Sequence, residues 1–254
     1  MLRRLTFLVA CAAIVVGACT TAAPAAPALT DPKEILTKSI LSLKDVKSVH
    51  FKAEANGQVK IDLTGQGGAG SIDLKGTTAE GDLDIGNKKL KLGFAAPGLF
   101  GVAGELIQIV NDTYVKVNLL SEKYQKTTST PDASGEVASD PLKVIQEIND
   151  FLNKPGVAPT KLADERCGDK DCYHVAVNVT SEQLGDSLGG LVPSGAPGGN
   201  GVLDLWVMKD SLRPAKMGIK VTAGDMGTVD VLVTFSNYDA AVTIEPPPAD
   251  QVEA

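Results

Sequence analysis

From Val49 onward, apolar and polar side chains alternate along most of this chain, and that alternation limits the fold more than any motif does. Val49, Phe51, Ala53 and Ala55 alternate with His50, Lys52 and Glu54, and Val59, Ile61 and Leu63 carry the pattern past Gly57. A period of two places successive side chains on opposite faces of an extended strand. Short runs of the same kind recur at Ile72–Leu74, Leu83–Ile85, Leu90–Phe94, Leu106–Val110, Tyr114–Val117, Tyr173–Val179, Val202–Met208, Ala215–Val221 and Val229–Phe235. Gly, Asn and Asp turns separate them, the mark of antiparallel strands with one buried face. About ten such strands make a single large curved sheet or an open barrel.

Three segments read as helices instead. Asp31-Pro32 supplies a carboxylate cap and a proline at the first helical position, and Ile35, Leu36, Ile40 and Leu43 then fall on one face. Ser139-Asp140-Pro141 opens a second in the same way, with Leu142, Ile145, Ile148 and Leu152 forming an apolar stripe opposite Lys143, Glu147, Asn149 and Asp150. A shorter one begins at Ser181-Glu182 and carries Leu184, Leu188 and Leu191. A long sheet with a few amphipathic helices across one face is an α+β architecture.

The start of the chain is of another kind. Arg3 and Arg4, an apolar run from Leu5 to Val16, and Gly17-Ala18-Cys19 have the layout of a bacterial secretion signal ending at a cysteine. That pattern predicts a signal peptide over 1–18, cut before Cys19, whose thiol receives a diacylglyceryl group with palmitate-type acyl chains. The apolar run is short for a transmembrane anchor, which needs roughly 20 residues. Residues 19–30, rich in alanine, proline and threonine, read as a tether, and 31–254 as one folded domain. Without Arg3 and Arg4 the chain has 22 basic against 31 acidic side chains, a net charge of −9. So acidic a surface argues against nucleic acid and against electrostatic docking on anionic lipid, which leaves attachment to the acyl chains. The expected location is the extracytoplasmic face of a bacterial cell membrane.

Cys11 falls in the signal, leaving Cys167 and Cys172 in Cys167-Gly168-Asp169-Lys170-Asp171-Cys172. In an exported protein the favoured reading is a disulfide across a tight surface turn between two strands. A metal site is weaker, because neither His50 nor His174 has zinc-type spacing, and the spacing is not that of a redox Cys-x-x-Cys pair. No metal and no cofactor is expected. Nor is an enzyme expected: there is no Gly-x-Ser-x-Gly elbow, phosphate loop or dinucleotide fingerprint. His50 and His174 read as outer, wet-face residues, and Asp82 and Asp84 as a solvated acidic strand face.

Two connections stand out. Gly93–Gly104 is apolar for a loop, and Phe94, Leu99 and Phe100 make it a candidate rim or lid at a cavity mouth. Gly189–Gly201 is rich in glycine and proline.

The chain resembles the LppX/LprA/LprF/LprG-type lipoproteins of mycobacteria and their relatives, whose half-barrel is shared with the LolA and LolB carriers. The resemblance is carried by Cys19 with its tether and the helix opening at Asp31, by Asn111-Asp112-Thr113-Tyr114-Val115-Lys116, and above all by the closing stretch. There, Leu203-Asp204-Leu205-Trp206-Val207 is followed by Leu212-Arg213-Pro214, Val233-Thr234-Phe235-Ser236-Asn237-Tyr238 and Ile244-Glu245-Pro246-Pro247-Pro248. The Cys167–Cys172 turn and the glycine-rich insertion before Val202 depart from the pattern and bear on the cavity mouth.

The resemblance implies a strongly bent antiparallel sheet, with helices over its concave face, enclosing an apolar cavity for acylated lipids or glycolipids that the protein carries or presents, with an envelope transporter as a possible partner. Leu203, Leu205 and Val207 share one strand face, as do Met217, Ile219 and Val221, and also Val229, Val231, Val233 and Phe235. Leu142, Ile145, Ile148 and Leu152 are the lining expected from a helix. Aromatic residues are 4% of the chain, so such an interior is mainly aliphatic and suits alkyl tails. The rival reading is a tethered protein-interaction or scaffold lipoprotein with a packed core and an exposed sheet edge, because alternation serves filled and hollow cores alike.

Overall fold

The computed structural model describes residues 28–62, 69–128, 150–154, 156–180, 183, 199–222 and 224–253. Helix α1 (Pro32–Ser42) starts as its sequence dictates: Asp31 is extended, its carboxylate accepts the Lys33 N–H at 2.8 Å, and Pro32 fills a position that needs no donor. Its buried residues are Ile35, Leu36, Ser39 and Ile40.

Among the described residues, thirteen strands form one sheet. The first half comprises β1 (Ser48–Asp62), β2 (Ala69–Asp73), β3 (Thr77–Asp84), β4 (Lys89–Ala96), β5 (Val102–Ile109), β6 (Asp112–Val117) and β7 (Gln125–Thr128). The second comprises β8 (Pro159–Lys161), β9 (Glu165–Cys167), β10 (Lys170–Thr180), β11 (Asn200–Met208), β12 (Pro214–Thr222) and β13 (Gly227–Ser236). Their order is β7-β6-β5-β4-β3-β1-β13-β12-β11-β10-β8, with β2 on the far half of β1 and β9 on β10. Two antiparallel meanders are therefore joined by the β1–β13 pair, and the curved sheet is not closed into a barrel. Where the meanders join, the backbones crowd. Gly57 has φ +117°, and a Cβ there would lie 2.1 Å from the Thr228 carbonyl oxygen, so only glycine fits.

Register sorts the side chains onto two unlike faces. Val175, Leu205, Met217, Val233, Ala53, Ala79, Phe94 and Gly104 lie opposite one another across eight strands. Val177, Leu203, Ile219, Val231, Ala55 and Thr77 form the next row on that same face. The helix packs on this inner face, where Ile35, Leu36 and Ile40 meet Phe151, Leu152, Val157, Tyr173, Val175, Val177, Val179, Val207 and Val221. The outer face carries His50, Asp82 and Lys91 in one row and Lys52 and Glu80 in another.

Two smaller cores hold the outer side. Ile107, Tyr114, Tyr124 and Ile244 pack where the C-terminal segment crosses the sheet. That segment pairs with Tyr124 through its N–H to the Gln251 carbonyl, 2.8 Å, and its carbonyl to the Glu253 N–H, 2.8 Å. Cys167, Cys172 and Ala215 form the other, with Trp206 and Met208 against them.

The strands exceed the periodic runs in number and length. Strand β3 begins at Thr77, well before Leu83, and β1 runs unbroken through Gly57. Strands β7, β8 and β9 have no alternating signature: they are three or four residues long and exist through pairing to a longer neighbour. The apolar connection after Gly93 is shorter than its composition suggests, since Phe94 and Ala96 belong to β4 and Val102–Gly104 to β5. Of the expected second helix, residues 150–152 are helical and the rest lies outside the described residues, as do Leu184, Leu188 and Leu191.

Candidate functional site

The inner face changes character across the sheet. At the β10 end it is a filled core: Val175 and Val207 are 0% exposed and α1 lies on them. From β11 through β13, β1, β3 and β4 the inner side chains Leu203, Leu205, Met217, Ile219, Val231, Val233, Phe51, Ala53, Ala79, Leu92 and Phe94 are all only half-buried. Among the described residues an extended apolar face is thus left half-covered, where a single sheet normally buries one face against a second layer.

Its middle is recessed. Ala53 pairs with Ala79, and Ala55 lies two residues further along the same face of β1. These short side chains sit on adjacent strands about 4.8 Å apart, flanked by Val231 and Val233 on β13 and by Phe94 on β4. The result is a shallow trough with an alanine floor and aliphatic and aromatic walls. The Phe94 ring reaches across Gly104, its partner on β5, because that residue has no side chain: a Cβ there would be 2.7 Å from the ring and 2.2 Å from the Lys116 carbonyl oxygen. Gly81 is crowded by backbone instead: a Cβ there would lie 2.1 Å from the Lys91 carbonyl oxygen and 2.7 Å from the Leu92 Cα.

The expected lining residues fall into three groups. Leu203, Leu205, Met217, Ile219, Val231 and Val233 face the half-buried region. Val207 and Leu152 belong to the buried core under α1, against whose edge Leu203, Leu205 and Ile219 pack. Leu142, Ile145 and Ile148 lie outside the described residues, and so does Cys19. Of the mouth residues, Phe94 is a wall of the trough, while Leu99 and Phe100 sit in the turn between β4 and β5. Ala53, Ala55 and Ala79 were not on the expected lining. Ala53 and Ala55 are visible in the alternation of β1, but only the register places Ala79 beside them.

The outer face corrects two readings. His174 is on that face as expected, yet it is 8% exposed and not wet. Trp206 stacks on it, ring centroids 4.3 Å apart at 17°, while its Nδ1 lies 2.9 Å from Glu165 and its Nε2 2.8 Å from Asp204. The Trp206 N–H also donates to Glu165 at 3.0 Å, and that bond, followed by the His174 contact, holds the Glu165 carboxyl below its usual range. His50 does face outward, 2.9 Å from Asp82. Asp84, in contrast, is buried and accepts the Asn87 backbone and amide N–H groups at 3.0 and 2.8 Å, so it pins the β3–β4 turn instead of being solvated. Burial and then Glu105 push the Tyr124 hydroxyl up to about 12. The Cys167–Cys172 disulfide is present, Cα atoms 6.0 Å apart, across the β9–β10 turn where Gly168 has φ +67°. The turn from Gly168 to Asp171 is exposed, as expected, while the two cysteines that anchor it are buried, Cys172 fully.

Comparison with solved structures places this geometry. The crystal structure of LprF from Mycobacterium bovis matches with a TM-score of 0.56 at 18% identity, over 85% of this chain and 96% of that one. The crystal structure of the Mycobacterium tuberculosis lipoprotein LppX matches with a TM-score of 0.51 at 15% identity, over 85% of this chain and 100% of that one. The fold is the LppX/LprF-type half-barrel. No protein-family model matches the sequence, and no curated protein does. On this fold the chain carries the alanine-floored trough, the disulfide hairpin and the buried His174.

Proposed function

We propose that this protein is an envelope lipoprotein that binds the acyl tails of a lipid or glycolipid along the inner face of its sheet and carries or presents that lipid. The observation that carries the reading is the half-buried apolar face from β11 to β4, recessed at Ala53, Ala55 and Ala79. Each methylene removed from water contributes about 0.8 kcal/mol, so tails gain affinity there without polar recognition, and discrimination among lipids should be weak. The fold shared with LppX, itself a lipoprotein, supports the same reading. Cys19 is the proposed acylation site after removal of a signal peptide, which places the domain on the outer face of the cell membrane.

An inner face this apolar among the described residues offers no acid, base and nucleophile set, and the role proposed is binding, not catalysis. Purified chain, expressed in a lipid-rich bacterial host and extracted with organic solvent, should release lipid in near-stoichiometric amount on mass spectrometry. Extracts free of lipid, together with no uptake of an apolar fluorescent probe, would favour the tethered scaffold.

A further inference from the structure

The two turns at the end of the sheet where β4 leads into β5 and β6 into β7 lie side by side, and both present large apolar side chains to solvent. Phe100 is 85% exposed, Leu120 74% and Leu119 56%. Asn118 locks the pair together: its N–H donates to the Ala103 carbonyl at 2.9 Å, its side-chain oxygen accepts the Ala103 N–H at 3.0 Å, and its amide donates to the Gly101 carbonyl at 2.9 Å. The Leu99 and Val102 N–H groups close the first turn on Ala96 and Leu99, and those of Leu120 and Ser121 close the second on Val117. Phe100 has φ +56°, a left-handed conformation that a bulky residue adopts only when its surroundings impose it. This is a fixed, outward-aimed tip rather than a lid.

We infer that this double tip inserts into the interfacial region of a phospholipid bilayer. From Ala96 to Gly104 and from Val117 to Leu120 there is no charged residue, and beyond Leu120 one Glu122 and one Lys123 balance. With an acidic chain behind it, the tip has only apolar burial to offer, which suits hydrocarbon and not a charged partner. A narrow point of three side chains is also far short of the roughly 1,000 Å² that a specific protein interface buries. A fluid bilayer needs no matching surface, and an aromatic ring with two leucines is the equipment of an interfacial contact. The inference stands whether or not the trough holds lipid, and it adds a second, orienting contact to the one proposed at Cys19.

Trp206 is the single tryptophan and lies on the outer face, so an added tryptophan can report position. The full chain and its F100W, L120W and V110W variants are placed with phosphatidylcholine vesicles whose acyl chains are brominated. Val110 is exposed in the β5–β6 turn at the opposite end of the strands. Added emission should be blue-shifted and strongly quenched for F100W and L120W, and unquenched for V110W. With one brominated lipid per protein in otherwise unbrominated vesicles, the quenching should vanish. Unquenched F100W, quenching of V110W as strong as that of F100W, or quenching that persists at the one-to-one ratio (a lipid held by the sheet) would each overturn tip insertion. Replacing Leu119 and Leu120 with serine should weaken F100W quenching by about tenfold in lipid concentration, the effect of withdrawing two leucines from an apolar contact.

Discussion

The ring of Phe94 stands over the bare Cα of Gly104 on the neighbouring strand, and each residue accounts for the other. A glycine inside a strand weakens it, but here it lets an aromatic wall rise beside the alanine floor of the inner face. Gly104→Ala should lower unfolding free energy by about 1–3 kcal/mol, because the new methyl meets both the ring and the immovable Lys116 carbonyl. Urea titration checks this. An unchanged midpoint would mean that the Phe94 wall is not held as described.

On the opposite face, Glu165 accepts from Trp206 and contacts His174, and its carboxyl titrates below the ordinary value of 4.5. The native state therefore binds this proton less readily than the unfolded chain does. The resulting stabilisation is complete above the ordinary value and is lost as pH falls through the depressed one. Trp206→Phe keeps a ring on His174 but removes the N–H, so stability near neutrality should fall, and the difference from the parent should shrink as the pH drops through the depressed value. Equal stability of the two proteins near neutrality, or a difference that persists undiminished at low pH, would contradict this.

Reduction of Cys167–Cys172 opens a short loop, and loop-closure entropy alone predicts a loss of about 2 kcal/mol. Because Cys172 is fully buried beside Ala215 and Trp206, the paired alanine variant is the cleaner comparison. Both should unfold at lower urea than the oxidised chain, with little change in lipid content, since the hairpin packs on the outer side.

Tyr238 donates its hydroxyl to the Pro214 carbonyl at 2.7 Å, and burial drives its hydroxyl pKa upward. Tyr238→Phe leaves that carbonyl without this donor and should cost about 1 kcal/mol by urea denaturation. A stability equal to that of the parent would show the bond to be worth nothing in this setting.

How far the fold could be read from the residues depended on whether a strand's reason to exist lay within it. Strands β1, β4 and β10–β13 have alternating sides, and their face assignments followed from the pattern. Thr77–Gly81 lacks bulky residues, so the first half of β3 was silent until β1 and β4 were placed beside it. His174 alternates like any outward residue; its burial comes from Trp206 and Glu165, which belong to two other strands. Similarly, Val207 and Leu203 look alike in sequence, and only the position of α1 makes one core and the other half-open.

Photo-crosslinking maps the ligand most directly. The purified chain is incubated with a phospholipid carrying a diazirine on its acyl chain, irradiated and digested, and the labelled residues are identified by mass spectrometry. Label should concentrate on inner-face residues of β1, β13 and β12, such as Ala53, Val231 and Ile219, and should fall sharply in Ala53→Trp, which fills the trough. Label spread over outer-face residues such as Lys52 and Glu80, or undiminished in that variant, would contradict lipid binding on the inner face.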